Sequence, residues 1–204
     1  MEELPRCRRT SWREIDALAD RVASAVRAAG PLPDTIVGLT RGGWVPARML
    51  ADRLGVKKML ALRAQHWGVT ATPSGKAVLS EALTQRLEER NVLVVDDITD
   101  TGESLQLATE HLRTLGPRTL RSAALLHIAH SKFLPEFWGE EIPRDAWVWV
   151  VFPWNYWEDL RTLARRAEPE GKGPAGVRQL LLDRCGLKVS LADVKRALAA
   201  AGAA

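Results

Sequence analysis

The sequence predicts an α/β fold built on a doubly wound, mostly parallel five-stranded sheet with a short helical C-terminal extension. Two observations carry that expectation. Short apolar strands alternate with amphipathic helices at a spacing that suits βαβ crossovers. The polar, glycine-bearing segments cluster after the strands, at the carboxyl edge where such sheets bind ligands. The chain has 204 residues, of which 46% are hydrophobic and 26% charged, a length for one domain with a small appendage. That much apolar surface offsets the entropy of folding and excludes general disorder. Apolar runs such as Val92–Val95 and Ala146–Val151 fall far short of the ~20 residues that span a bilayer.

The elements follow in order. Ser11-Trp12-Arg13-Glu14 matches a capping box and opens a helix. Ile15, Leu18, Ala19, Val22 and Val26 recur on one face, and Gly30-Pro31 stops it. Ile36–Leu39 forms a strand that runs into Thr40-Arg41-Gly42-Gly43, and a helix over Val45–Leu54 closes at Gly55. A strand at Met59–Arg63 precedes Gln65–Lys76, a polar stretch expected to be a long loop. Val92–Val95 is the clearest strand, four β-favouring residues without a charge. Helix Glu103–Leu115 follows, and Leu120–Leu126 and Trp147–Phe152 supply two further strands. Residues 1–166 are thus expected to form the main domain, and 167–175 a Pro- and Gly-rich linker. Residues 176–204 then form a tail of two short helices, Val177–Arg184 and Leu191–Leu198, the second capped by Ser190.

The net charge of +4 is mild for a nucleic-acid binder, and no dense basic stripe accompanies it, so nucleic acid is not the expected partner. Cys7 and Cys185 stand at opposite ends of the chain in no CxxC or Cys/His pattern, which argues against a disulfide framework or a zinc site. The N-terminus is charged and has no apolar signal core, so a cytoplasmic location is expected, without membrane attachment. A homodimer or higher homo-oligomer is the expected assembly.

The chemistry concentrates in Val92–Ser104, VLVVDDITDTGES. A buried strand delivers Asp96 and Asp97, a turn carries Asp100, and Thr101-Gly102-Glu103-Ser104 opens a helix. Amides at a helix start form an anion site, and glycine lets a phosphate approach the main chain. Thr101 and Ser104 add hydroxyl donors. Adjacent acids repel phosphate, so Asp96 and Asp97 suit a vicinal diol or a hard divalent cation. One ligand with a phosphate and a ribose diol meets both demands. A Walker B element would need a partner GxxxxGK[ST], which the chain lacks. A DxDxT phosphatase motif fails on the spacing of Asp97 and Asp100.

VVDDITDTG resembles the PRPP-binding signature of type I phosphoribosyltransferases. Thr40-Arg41-Gly42-Gly43 is similar to that family's pyrophosphate loop. Trp149-Val150-Val151-Phe152-Pro153-Trp154 is similar to the hood segment, about 145–160, of the xanthine–guanine and archaeal-type hypoxanthine–guanine members. The resemblance covers roughly Ser11 to Leu160. It implies transfer of ribose 5-phosphate from PRPP to a purine, one of xanthine, guanine or hypoxanthine, in nucleotide salvage. It also implies these roles: Asp96 and Asp97 hold the ribose hydroxyls, partly through Mg²⁺, and Thr99 to Ser104, including Gly102 and Glu103, form the PRPP loop. Asp100 acts as proton acceptor near the base. Thr40, Arg41, Gly42 and Gly43 contact pyrophosphate, Trp149 stacks on the purine, and the Val150 main chain bonds its edge.

The chain departs from the family's pattern after the fourth strand, where 6-oxopurine enzymes place a lysine aimed at O6. Here the segment reads LLHIAHSK. Lys132 from a displaced loop, or His127 or His130, is the candidate donor in its place. Glu103, where the family prefers a neutral or basic residue, is expected to face solvent. Gln65–Lys76 is placed to close as a lid that keeps water from the cationic sugar. Two other functions share the fold: a PRPP- or nucleotide-sensing regulator, and an enzyme with a different acceptor.

Overall fold

The computed structural model describes residues 4–66 and 77–200. They group into two units: Arg13–Trp147, the sheet unit, and Met1–Trp12 with Val148–Ala204, the terminal unit.

In the sheet unit, helix α1 (Trp12–Ala28) buries Ile15, Leu18, Ala19, Val22 and Val26, the face its periodicity predicts. Strand β2 (Thr35–Thr40) leads into α2 (Trp44–Leu54), whose end is turned by Gly55 at φ 72 with its amide on the Ala51 and Asp52 carbonyls. Strands β3 (Lys58–His66) and β4 (Ala77–Glu81) come next, then β5 (Asn91–Thr99), α3 (Glu103–Thr114), β6 (Thr119–Ile128) and β7 (Phe137–Ile142). The sheet order is β4-β3-β2-β5-β6-β7. All pairs are parallel except β3–β4, which is antiparallel at the edge.

Helices cover both faces. Val37, Leu39, Leu62, Val92 and Val94 pack with Leu105, Ala108 and Leu112 of α3. On the opposite face, a Cβ at Gly38 would stand 2.8 Å from the Ala47 Cβ of α2. Strand and helix surfaces therefore meet so closely that this position excludes any side chain.

The sheet differs from the expected five strands. Phe137–Ile142 is a strand that the pattern FWGEEI did not announce, because glycine and acids mark an edge rather than a buried run. Ala77–Glu81 adds the other edge. The strand expected at Trp147–Phe152 is three residues, β8 (Trp149–Val151). It lies outside the large sheet and pairs in parallel with β1 (Cys7–Arg9) in the terminal unit. Of the expected lid Gln65–Lys76, Gln65 and His66 end β3, and residues 67–76 lie outside the described residues.

The terminal unit continues with α4 (Tyr156–Gly171), α5 (Pro174–Cys185) and α6 (Leu191–Ala199). Here too the expectation changes. Residues 168–171, predicted as linker, are the last turn of α4, with Pro169 inside it. The burial of Leu160, Leu163, Ala164, Ala167 and Gly171 along one stripe overrides the local composition. A Cβ at Gly171 would fall 2.6 Å from Val177 Cγ2, so the α4–α5 corner needs this glycine for contact, and only Lys172 and Gly173 link the helices. The tail is accordingly core: Val177, Leu181, Cys185, Leu187, Val194 and Ala197 join Leu4, Val151 and the α4 stripe in one apolar cluster. Ser190 caps α6 as its spacing predicts, accepting from the Asp193 amide at 3.0 Å.

Candidate active site

The carboxyl ends of β2 and β5 meet in the sheet unit. Neighbouring parallel pairing of these strands, Gly38 opposite Val95, carries the Thr40–Gly43 turn up beside Asp96 and Asp97. The approach is close. A Cβ at Gly42 would lie 2.0 Å from Asp97 Oδ2, and one at Gly43 would lie 2.6 Å from the Val95 carbonyl oxygen. The β5 backbone therefore excludes a side chain at Gly43, and one at Gly42 would have to displace the Asp97 carboxylate. The Thr40–Arg41 peptide is cis. The Thr40 hydroxyl donates to the Leu62 carbonyl at 3.4 Å, while the Arg41 side chain is exposed.

Strand β5 runs further than Val95, and Asp96, Ile98 and Thr99 pair with Ala124, Leu126 and His127 of β6. Strand alternation sends Asp96 toward the face of Val94 and α3, and Asp97 toward the face of Val95 and Gly42. Each carboxylate accepts the next residue's amide: Asp97 N–H donates to Asp96 Oδ1 and Ile98 N–H to Asp97 Oδ1, both at 3.0 Å. Burial, with the Asp97 charge added, pushes the Asp96 carboxyl well above the usual carboxylate range. Thr99 is buried, and its hydroxyl shares a 2.8 Å hydrogen bond with His127 Nδ1. Burial lowers the His127 imidazole below its ordinary value, which favours the neutral ring that this bond uses. These two side chains serve the sheet's interior, so Thr99 can contribute to the loop only through its main chain.

At the start of α3, Gly102 has φ 81, and a Cβ there would meet Ser131 Oγ at 2.4 Å and Phe133 Cβ at 2.8 Å. Glycine is needed twice over, for the left-handed backbone and for the packing. No side chain caps α3 at Gly102, and the Glu103 amide reaches Thr101 Oγ1 at 3.4 Å. The loop after β6 is tied onto this turn, since Lys132 N–H donates to the Thr101 carbonyl at 3.1 Å. Its side chain is exposed.

The decisive arrangement is around Asp100. Its Oδ1 accepts from His130 Nε2 at 2.8 Å and from Trp147 Nε1 at 3.2 Å. The His130 contact requires the tautomer or charge state that puts a proton on Nε2. Of the two histidines considered as base readers, His127 is turned inward and His130 holds the acid. Trp147 was not legible as a site residue, because its spacing from Trp149 fits one face of a strand.

The family model for the phosphoribosyl transferase domain matches residues 11–159. The chain belongs to the phosphoribosyltransferase family. Among curated relatives of this phosphoribosyltransferase, the xanthine-guanine phosphoribosyltransferase of Cereibacter sphaeroides is 30% identical over 153 residues, 71% of this chain and 84% of that protein. A crystal structure of a purine phosphoribosyltransferase from Pyrococcus horikoshii matches with a TM-score of 0.63 at 26% identity, covering 72% of this chain and 93% of that one. The Helicobacter pylori xanthine-guanine-hypoxanthine phosphoribosyltransferase shares the fold, with a TM-score of 0.62 at 19% identity over 79% of this chain and 99% of that one.

In the terminal unit of this phosphoribosyltransferase, Trp149 is half-buried against the apolar cluster, and its indole N–H donates to Asp159 Oδ1 at 3.1 Å. Val150 is buried. Among the described residues no group of three or more His, Cys, Asp or Glu side chains could by itself hold a metal. No described helix is long and apolar enough to cross a membrane.

Proposed function

We propose that the protein transfers the ribose 5-phosphate group of PRPP to a ring nitrogen of a 6-oxopurine, xanthine, guanine or hypoxanthine, releasing pyrophosphate. The observation that carries this reading is the Asp100 carboxylate at the turn between β5 and α3, oriented through Oδ1 by His130 and Trp147. The 30% identity to a xanthine-guanine enzyme supports the choice of base.

The chain's own groups divide the work by charge. As the bond from ribose C1 to pyrophosphate breaks, positive charge grows on the sugar and negative charge on the leaving group. Arg41 and the main chain of Thr40, Gly42 and Gly43 hold the pyrophosphate, and the glycines let it approach the backbone. Amides from Asp100 to Ser104, with the Thr101 and Ser104 hydroxyls, cradle the 5′-phosphate at the start of α3. Asp96 and Asp97 accept hydrogen bonds from the ribose hydroxyls. Asp100 takes the proton that the purine nitrogen sheds as its bond to C1 forms. The resemblance carries the assignment of Trp149 and Val150 to the base, and Lys132 is the proposed donor to its oxygen.

Asp96 and Asp97 are the residues that would hold magnesium, a hard cation that carboxylates bind together with substrate oxygens and water. Burial and then the Asp97 charge raise the Asp96 carboxyl, and a bound dication would offset both. Magnesium bound with PRPP would supply further neutralisation of the leaving pyrophosphate.

Incubating the protein with PRPP, Mg²⁺ and a panel of bases, while following pyrophosphate, tests the proposal. Release with xanthine, guanine or hypoxanthine is expected. Tight PRPP binding without release from any acceptor would instead make the protein a sensing regulator, and release with other acceptors alone would reassign the substrate.

A further inference from the structure

The two cysteines stand at opposite ends of the sequence, yet the terminal unit packs both at one apolar cluster. Cys7 lies in β1, and Cys185 ends α5. The Cys7 thiol donates to the Pro5 carbonyl at 3.5 Å. Beside them, Arg6 Nη1 donates to the Asp183 carbonyl at 3.4 Å, which holds the N-terminal segment against the end of α5. Cys185 is wholly buried in the apolar cluster, while Cys7 packs at its border and keeps partial access to solvent.

From this juxtaposition we infer that Cys7 and Cys185 form an oxidation site, a dithiol that a small peroxide converts to an intramolecular disulfide.

The surroundings suit the chemistry. The neighbouring Cys7 side chain, and the positive charges of Arg6 and Arg184, pull the Cys185 thiol below its ordinary value against the effect of burial. The Cys185 side chain, then burial and the Asp159 charge, push the Cys7 thiol up. Cys185 therefore holds the thiolate at rest, and it takes the Cys7 proton as the more accessible Cys7 sulfur becomes the nucleophile. Peroxide reaches Cys7. The thiolate there attacks one peroxide oxygen; an S–O bond forms as the O–O bond breaks, and hydroxide departs to take up a proton from solvent. Cys185 then attacks the Cys7 sulfur. The S–S bond forms, the S–O bond breaks, and the departing hydroxide takes the pair's remaining proton as water. The two sulfurs lose two electrons and the peroxide gains them.

The bond would join β1 to α5. Because Cys7 is the register partner of Trp149 in β8, it would also fasten this two-stranded sheet to the C-terminal helices, closing a loop that includes nearly the whole chain.

The test uses the full chain, treated with graded hydrogen peroxide, quenched, and analysed by intact mass and peptide mapping without reductant. The expected product has lost two hydrogens, contains a cross-linked Cys7–Cys185 peptide, and reverts with dithiothreitol. Its melting temperature rises by roughly 5–15 °C. In Cys7→Ser, the buried Cys185 should react with peroxide about tenfold more slowly than the wild-type pair. Oxygen adducts on separate cysteines, cross-links between chains, or an equal rate in Cys7→Ser would overturn the inference. The mass of the oxidised wild-type protein decides it even if a variant fails to fold.

Discussion

The carboxyl end of β5 and the helical packing of the terminal unit treat polar groups in opposite ways. At the strand end, two carboxylates occupy successive positions, and burial together with the neighbouring charge makes ionised Asp96 unfavourable. In the terminal unit, two aromatic side chains each donate to a carboxylate. The Trp149 indole meets Asp159 at 3.1 Å, and the Tyr156 hydroxyl meets Asp193 at 2.9 Å, around Leu160, Leu163 and Leu181. The difference teaches where selection acts. The first region keeps charge that folding alone disfavours, as expected where a ligand completes the electrostatics. The second sets its aromatic N–H and O–H donors against carboxylates and contributes cohesion.

Substitutions should break that contrast in order of effect. Asp100→Asn keeps an oxygen for His130 and Trp147 while removing the proton acceptor, so turnover should fall by ~10²–10⁴-fold with PRPP affinity spared. Steady-state kinetics with PRPP titration checks it, and unchanged turnover would remove Asp100 from its role. Leu160→Ala, at a fully buried position of α4, should cost about 2–5 kcal/mol, read as a large drop in melting temperature. Turnover per folded molecule should change far less than in Asp100→Asn.

The sharpest test of the comparison is Asp96→Asn. At neutral pH it should stabilise the protein by about 1 kcal/mol, or a rise of roughly 2–4 °C, while weakening PRPP binding. The sign follows from the raised carboxyl. Ionised Asp96 destabilises the fold at pH values above its own pKa, so the gain should fade as pH falls through that value and the wild-type carboxyl protonates. A stability loss at pH 7 would contradict the strain assigned to this pair. The smallest effect is expected for Tyr156→Phe, about 1 kcal/mol of lost stability. Burial and the Asp193 contact push the Tyr156 hydroxyl up to about 12. Its share of stability should therefore hold below pH 10 and decline as pH rises through about 12, which melting curves across that range would show.

Much of the site was legible because its signals are local. Gly42, Gly43 and Gly102 stand out in the sequence as turn glycines, and in the structure the first two pack against β5 and the third takes a left-handed backbone. The acids at 96, 97 and 100 follow a β-favouring run that is a strand. Less legible was what those groups touch. His130 and Trp147 reach Asp100 from positions 30 and 47 residues away, and no local pattern encodes such a meeting. The same reason hid β7, whose edge position tolerates glycine and acids, and the last turn of α4, where burial of Ala167 and Gly171 outweighs Pro169.

By itself, the sequence determined the alternation of strands and helices, the buried face of α1, and the strand–turn–helix course of Val92–Ser104. Each of these depends on residues within a few turns of one another, where periodicity and backbone preference act directly. Tertiary structure alone decided that the C-terminal helices share a core with the N-terminal strand, that Asp100 is held by a histidine and a tryptophan, and that Cys7 meets Cys185. Those outcomes come from packing between segments far apart in the chain, and the energy that selects them exists only once the surfaces are assembled.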